Sequence, residues 1–455
     1  MKKRSLKLII TTAITLLLCL GTLVGCFSSP TVGIADTEIN ELGELIITYT
    51  DGTSKNLGVI VGQNGKDGVD GKDGLDGEKG DKGDKGSTGA VGKDGVDGKD
   101  GSLVISGDIA SNAAAIATGL RSSVSILAAF TKNTYGTPTE YYAAGSGVIY
   151  KTNDTHAFII TNYHVVYDSA SNATNGISNN ITVYLYGSEY ADYAIGATYV
   201  GGSMQYDIAV LAIEKSELTS FSATAAVFNS DVLSVGETAI AIGNAQGEGI
   251  SASVGIICVD SEYITMTGAD EETEIDFRVM RIDTAVNSGN SGGGLFNSRG
   301  ELIGIVNAKI IDSNVENIGY AIPSNLATAV ADNIITNCYN TSKTKVQRAL
   351  IGVTVIATDS KAVYDTESGK VSIVEEITVN EVSYGSLSYG KLESGDVFVT
   401  AKLGETEIAI TRQHQIIDLL LRAKVGDTVE FTVLRDGAPT TVSMTVTISA
   451  ITEVQ

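Results

Sequence analysis

The chain has 455 residues and a mass of 47.3 kDa, room for about three domains of ordinary size. With 43% apolar residues it can build a sizeable core, and a net charge of −23 repels phosphates, so disorder throughout and nucleic-acid binding are both excluded as first readings. Three histidines (His156, His164, His414) and four scattered cysteines (Cys19, Cys26, Cys258, Cys338) exclude a disulfide scaffold and a Cys-rich zinc site, and no metal or cofactor is implied.

In chain order, residues 1–25 predict an export signal. Lys2, Lys3, Arg4 and Lys7 give a positive start, an apolar run follows over 8–24, and it closes on Leu23-Val24-Gly25-Cys26. A short run, broken by threonines and ending in small residues before a cysteine, argues against a transmembrane anchor. The ending resembles the lipobox of bacterial lipoproteins, which implies acylation of Cys26 and attachment to the membrane through two chains. The mature protein is then expected outside the cytoplasmic membrane, lipid-anchored at the cell surface or in the periplasm. Residues 26–61 are expected to be a spacer, with a short strand and turn at Ile46-Ile47-Thr48-Tyr49-Thr50-Asp51-Gly52. Cys258 and Cys338 are expected as two buried free thiols.

Glycine then occupies every third position from Gly62 to Gly101. That is the period of collagen, in which only glycine fits at the axis of three polyproline-II chains, and if extended the segment reaches roughly 120 Å. It contains no proline, although Lys79-Gly80-Asp81 and Lys82-Gly83-Asp84 place opposite charges where neighbouring chains could pair. A triple helix and a hydrophilic tether are both open; the triple helix requires that something downstream hold three chains together. The D-x-D-x-D-G spacing of a calcium loop is missing.

Residues 102–342 show short β-runs between glycine and polar turns: Gly147-Val148-Ile149-Tyr150, then 157–161, 181–186, 208–213 and 239–242. Many short strands with few helical periods predict an all-β barrel or sandwich. Three places in it carry chemistry. His164 follows a strand in Thr161-Asn162-Tyr163-His164-Val165-Val166, Asp207 opens one in Tyr206-Asp207-Ile208-Ala209-Val210-Leu211, and Ser291 lies in the turn Asn287-Ser288-Gly289-Asn290-Ser291-Gly292-Gly293-Gly294. A serine hydroxyl needs an adjacent base, histidine has the pKa for that task, and a carboxylate must fix its tautomer. The glycines let the N–H groups of Gly289 and Ser291 converge on an oxyanion, and Gly289 is expected to tolerate no bulk.

In this order the three motifs resemble the chymotrypsin-fold serine proteases, and closely the HtrA/Deg family: T-N-x-H-V-V, D-I-A-V-L and G-N-S-G-G. Ala241-Ile242-Gly243-Asn244, Gly300-Glu301-Leu302-Ile303-Gly304-Ile305 and Ile318-Gly319-Tyr320-Ala321-Ile322-Pro323-Ser324 extend the likeness. It implies a mainly β protein in which two barrels enclose His164, Asp207 and Ser291, with Ile318-Gly319-Tyr320 pairing with the substrate backbone. Ser288, Gly294 and Ala245 stand where the family usually has proline, which loosens those turns without removing a reacting atom. The nucleophile elbow of α/β-hydrolases also fits G-x-S-x-G, but it needs a helix after the serine and a later histidine. Here the segment 295–300 predicts a hairpin, and His414 falls in another domain. Ala285 and Val286 give the substrate pocket an apolar floor, so cleavage is expected after small or medium aliphatic residues. His156 is expected to have no chemical role.

Residues 343–455 change pattern. Arg348-Ala349-Leu350-Ile351-Gly352-Val353 resembles the carboxylate-binding loop of a PDZ domain, with Leu350, Ile351, Gly352 and Val353 as the loop itself. Residues 412–422 have helical spacing, and Asp436-Gly437 predicts a hairpin turn. His414 is expected near the start of the groove helix, on the surface.

These readings combine into a lipid-anchored, extracytoplasmic serine endopeptidase with a collagen-like stalk and an α/β PDZ domain. The resemblance implies unfolded or misfolded polypeptides as substrates, C-terminal peptides at the PDZ groove, and a homotrimer. The rival is a surface scaffold, adhesin or chaperone with a degenerate protease, against which the intact His164, Asp207, Ser291 and glycine turn argue.

Overall fold

The computed structural model describes residues 34–39, 44–50, 52–59, 108–134, 136–188, 193–229, 233–308, 318–367 and 369–454. Cys26 and the glycine repeat at 62–101 lie outside them. Two compact units result, dividing at Gly98 and Lys99. In the first, β1 (Ile34–Ile39), β2 (Glu44–Tyr49) and β3 (Ser54–Val59) form an antiparallel sheet in that order. The strand and turn expected at 46–52 belong to it. Gly52 takes φ 82° there, and its N–H donates to the Tyr49 carbonyl at 3.0 Å.

The second unit begins with α1 (Asp108–Leu120) and a closed barrel of β4 (Ser123–Thr134), β5 (Thr137–Thr152), β6 (His156–Thr161), β7 (Asn180–Leu185), β8 (Ile195–Ser203) and β9 (Ile208–Glu214). The single turn α2 (Tyr163–Val166) follows β6, and α3 (Glu217–Ser220) follows β9. A second closed barrel contains β10 (Thr238–Gly243), β11 (Ser251–Thr267), β12 (Glu274–Ile282), β13 (Gly294–Phe296), β14 (Leu302–Val306) and β15 (Gly319–Pro323), after which α4 (Ser324–Cys338) runs back across the barrels.

Why two barrels pack together is written in strand periodicity. Side chains alternate faces along a strand, so a strand buried on one face alternates and a strand buried on both reads as a continuous apolar run. In β9, Ala209, Leu211 and Ile213 fill the first barrel, whereas Ile208, Val210 and Ala212 join a core shared between the barrels. The same split occurs in β10, with Ala239 and Ala241 inside the second barrel and Ile240 and Ile242 in the shared core. Helix α4 closes that core with Leu326, Ala327, Val330, Ala331 and Ile334. Each buried Val, Leu or Ile contributes about 1.5–3 kcal/mol, so the shared layer fixes one barrel against the other and, with them, the residues at their junction.

After α4 the chain forms β16 (Val346–Ala349), which pairs with the last strand, β23 (Ile451–Val454). Between these lies a sheet in the order β17 (Val353–Tyr364), β18 (Val371–Val382), β19 (Val397–Leu403), β21 (Thr428–Arg435) and β22 (Ala438–Thr445), with β20 (Thr406–Ala409) on β19. Asp436 at φ 49° and Gly437 at φ 78° make the two-residue hairpin turn expected of that dipeptide. Helix α5 (His414–Arg422) packs Ile416, Leu419 and Leu420 on this sheet. It starts two residues later than 412 because the N–H groups of Thr411 and Arg412 donate to Gln415 Oε1, at 2.7 and 2.9 Å.

The other face of α5 lies against the barrels. Leu421 enters the shared core, and Asp418 accepts two 2.7 Å bonds from the Arg278 guanidinium of β12, which also donates to Asn325 Oδ1 at 2.6 Å. Arg412 reaches Asp260 at 3.4 Å and the Ser261 carbonyl at 3.1 Å. His414 is therefore not a surface residue. Burial, with the Arg278 and Arg412 charges, pushes its pKa down to about 2, and the ring is neutral at physiological pH. Cys338 is a buried free thiol pushed up to about 11 by burial. Cys258 is also free but only half-buried, unlike the expectation, and lies at a register shift between Ile257 and Val259 in the β11–β12 pairing.

Candidate active site

His164 sits in α2, immediately after β6, and Asp207 immediately before β9, which is the neighbour of β6 in the barrel. Strand pairing therefore brings them together across 43 residues. His164 Nδ1 and Asp207 Oδ2 are 2.7 Å apart, and the His164 backbone N–H donates to Asp207 Oδ1 at 3.0 Å. An ionised carboxylate only accepts, so this contact puts the ring proton on Nδ1 and leaves Nε2 free to take a proton. Asp207 is 4% exposed and its backbone is left-handed at φ 47°. Two asparagines over-determine that conformation: Asn307 Nδ2 donates to Asp207 Oδ2 at 2.8 Å, and Asn162 Nδ2 to the Asp207 carbonyl at 2.9 Å.

Ser291 comes from the turn between β12 and β13, in the second barrel. Its Oγ accepts the Ala308 N–H at 3.2 Å. Since Ala308 follows Asn307, adjacent residues after β14 hold the hydroxyl on one side and the carboxylate on the other. Gly292 presses the turn onto the end of β6: a Cβ there would lie 2.3 Å from Thr161 Oγ1 and 3.0 Å from Asn162 N. Among the described residues no hydrogen bond joins His164 to Ser291, a contact that tightens in many enzymes only when substrate binds.

The expectation for Gly289 is met by its surroundings. Its φ is +94°, and a Cβ would fall 2.2 Å from the Asn244 carbonyl oxygen. The Ser288 carbonyl accepts the Gln246 N–H at 2.7 Å. Because a trans peptide points its N–H opposite its C=O, this bond aims the Gly289 N–H away from Gln246. Among the described hydrogen bonds neither the Gly289 nor the Ser291 N–H has a protein acceptor, so both are free to serve an oxyanion.

Val286 is half-buried against the second-barrel core, and a Cβ on Gly319 would sit 3.0 Å from its Cγ2, so these two face each other. Ala285 is exposed, and its carbonyl accepts Ser253 Oγ at 2.8 Å. The stretch 318–320 runs into β15, whose register with β14 covers Ala321 to Pro323. Gly319 and Tyr320 pair with Ile282 and Arg281 of β12, while the Tyr320 carbonyl accepts the Asn307 N–H at 2.9 Å.

In the C-terminal sheet, Gly352 takes φ +77° and Ile351 is buried, whereas Leu350 is 44% exposed. The Ile351 and Gly352 carbonyls are held by the N–H groups of Ser388 and Ser383, at 3.1 and 2.9 Å. Val353 opens β17, which among the described strands pairs with β18 alone. His156 stacks edge-on against Tyr339, whose hydroxyl lies 2.9 Å from its Nδ1, and it is remote in role from the His164 pair.

Sequence reasoning missed Asn307, Asn162, Thr161 and Ser146. Asn162 and Thr161 lie within the His164 motif, so their positions were visible but not their bonds. Asn307 follows the buried run of β14, where a polar residue is itself a signal.

A histidine, a carboxylate and a serine are thus presented at the junction of two closed barrels. The trypsin-like peptidase domain family matches residues 145–305, and the collagen triple helix repeat family matches residues 59–113. The chain is 33% identical over 314 residues to the serine protease Do-like HtrA of Bacillus subtilis (strain 168), covering 65% of this chain and 61% of that protein's length. It is 30% identical to the serine protease Do-like HtrA of Lactococcus lactis subsp. cremoris (strain MG1363), covering 66% of this chain and 70% of that one. It belongs to the HtrA family of serine proteases. Among solved structures, the HtrA-type protease AlgW with tripeptide is similar at 26% identity and a TM-score of 0.46, over 74% of this chain and 96% of that one.

Proposed function

We propose that the protein is an extracytoplasmic serine endopeptidase that cuts unfolded or misfolded exported polypeptides after small aliphatic residues. The observation that carries this reading is the buried Asp207 carboxylate, which accepts from His164 Nδ1 at 2.7 Å and from Asn307 at 2.8 Å beside the Ser291 turn. Ser291 Oγ attacks the scissile carbonyl carbon while His164 Nε2 takes its proton. The resulting imidazolium is stabilised by Asp207, and the oxyanion by the N–H groups of Gly289 and Ser291, of which one donor accounts for about 3–4 kcal/mol of barrier. His164 then protonates the leaving amine, and water, activated by the same ring, releases the acyl group from Ser291.

The other parts extend this reading. Acylated Cys26 anchors the chain, 62–101 is a collagen-like stalk, 102–342 the protease domain and 343–455 a PDZ domain. The PDZ domain takes a polypeptide C-terminus as an added strand on β17, with its carboxylate at Leu350, Ile351, Gly352 and Val353. Val286 and Gly319, which face each other without a charged group, support the preference for an aliphatic side chain, with Ala285 and Tyr320 flanking them. Three chains joined through their protease domains would give the proline-free stalk the local concentration that a triple helix needs.

Digestion of casein by the full chain tests the activity and its specificity together. The expected products end in Val, Ala or Ile, and Ser291→Ala yields none. Cleavage that persists in Ser291→Ala, or that occurs after Arg and Lys, contradicts the reading.

A further inference from the structure

We propose that the protein holds extended polypeptide at a second place: a groove on the first barrel in which part of the outer edge of β8 has no partner strand. The site takes the ligand class of the reading above, a stretch of unfolded chain, and does not depend on hydrolysis at Ser291.

On one side, β8 pairs with β9 from Thr198 to Ser203. On the other side, β7 covers only Ile195 to Ala197. Further along that second side, the Gly202 N–H donates to the Thr344 carbonyl at 2.9 Å, and Gly202 forms a parallel bridge with Lys345. Between these two partners, Thr198 to Gly201 are paired on one side only among the described residues, a gap of about 13 Å for four extended residues. A groove of about 850 Å³ follows it, from Asn179 where β7 begins, over Thr198 and Tyr199, to Thr344 and Lys345. Its far wall is preformed: the Asp168 N–H donates to the Gly176 carbonyl at 2.9 Å, the Ser178 N–H to the Val166 carbonyl at 2.9 Å, and the Tyr141 hydroxyl to Asp168 Oδ2 at 2.8 Å.

An unpaired strand edge is a template for another chain, and a polypeptide adds to it through main-chain hydrogen bonds whatever its sequence. The protein's own residues 344–345 already use one end of this edge. Glycines permit that close approach: a Cβ on Gly201 would lie 3.0 Å from the Thr344 carbonyl oxygen, and a Cβ on Gly202 would lie 2.7 Å from Tyr163 Cδ2. Tyr199 adds a directional group. It is mostly buried, its hydroxyl lies 2.8 Å from where a Gly202 Cβ would be, and among the described residues that hydroxyl has no hydrogen-bond partner, which a backbone carbonyl in the groove would supply. No carboxylate lines the groove and Lys345 is its one charged residue, so in a chain of net charge −23 an acidic segment is not turned away there. Tyr163, which also lines it, directly precedes His164. A chain held in the groove therefore stays at high local concentration beside the reacting groups, an advantage open to a long substrate and not to a short one.

The test uses the full chain carrying Ser291→Ala, with reduced, carboxymethylated α-lactalbumin as the unfolded polypeptide. Hydrogen exchange read by mass spectrometry is expected to slow about tenfold in the peptide spanning residues 196–203 when the polypeptide is added. Thr198→Trp fills the groove from its floor and is expected to abolish that protection and raise Kd about tenfold. Asn179→Trp fills it from the β7 end and carries the test if the first variant does not fold. With Ser291 intact, the ratio of kcat/KM on the unfolded protein to kcat/KM on a tetrapeptide amide is expected to fall about tenfold in either variant. Both values are read within one variant, so its folded fraction cancels. Protection that spares 196–203, a ratio within about twofold of wild type, or protection of 196–203 by chitotetraose but not by the polypeptide overturns the proposal. A wild-type chain that cuts neither substrate while its Ser291→Ala form is protected at 196–203 overturns the hydrolytic reading and leaves this site standing.

Discussion

Asp207→Asn is expected to lower kcat by about 10⁴-fold while leaving KM nearly unchanged. The reason lies in the partners of the carboxylate. Asp207 Oδ1 faces the His164 backbone N–H, and Oδ2 faces both His164 Nδ1 and Asn307 Nδ2. All are donors, so an amide NH₂ meets another N–H in either orientation. Placed at Oδ2, it also drives the His164 proton to Nε2, where the ring can no longer accept from Ser291. Steady-state kinetics on a peptide amide check this, and a loss below about tenfold would mean that Asp207 does not set the tautomer.

Asp418→Ala is expected to cost about 3–5 kcal/mol, because it removes one partner of a buried ion pair and leaves the other charge uncompensated. The Arg278 side chain is only 4% exposed and keeps Asn325 as its remaining partner. By contrast, Arg299 pairs with Glu301 from a side chain that is 58% exposed, and removing that pair is expected to cost less than about 1 kcal/mol. Urea unfolding of the two variants measures the difference. Equal midpoints would show that the contact between α5 and β12 contributes little to holding the C-terminal sheet on the barrels.

The parts of the fold that were legible in the sequence are those fixed by local pattern. Residues 208–213 read as a short strand because six apolar residues run on without a break, and Asp436-Gly437 reads as a hairpin because few residues accept positive φ at both positions. The places of His164 after a strand, Asp207 before one and Ser291 within a glycine turn were legible because each local pattern is distinct. What the sequence did not reveal depends on partners distant in the chain. Ser146 looks like one residue of a Gly-Ser-Gly strand, and only folding brings Gly289 to its hydroxyl across 143 residues. Asn307 lies 100 residues from the carboxylate it holds. His414 carries an ordinary helix-start context, and neither its burial nor the nearby Arg278 and Arg412 charges can be read from the sequence.

The central claim is that Ser291 is made nucleophilic by the His164–Asp207 pair. Its most direct test is labelling of the full chain with a fluorophosphonate, followed by mass spectrometry of the digested protein. A single adduct is expected on the peptide containing Ser291, lost in Ser291→Ala and strongly slowed in His164→Ala. An unlabelled wild type, or an adduct that survives in Ser291→Ala, would contradict it.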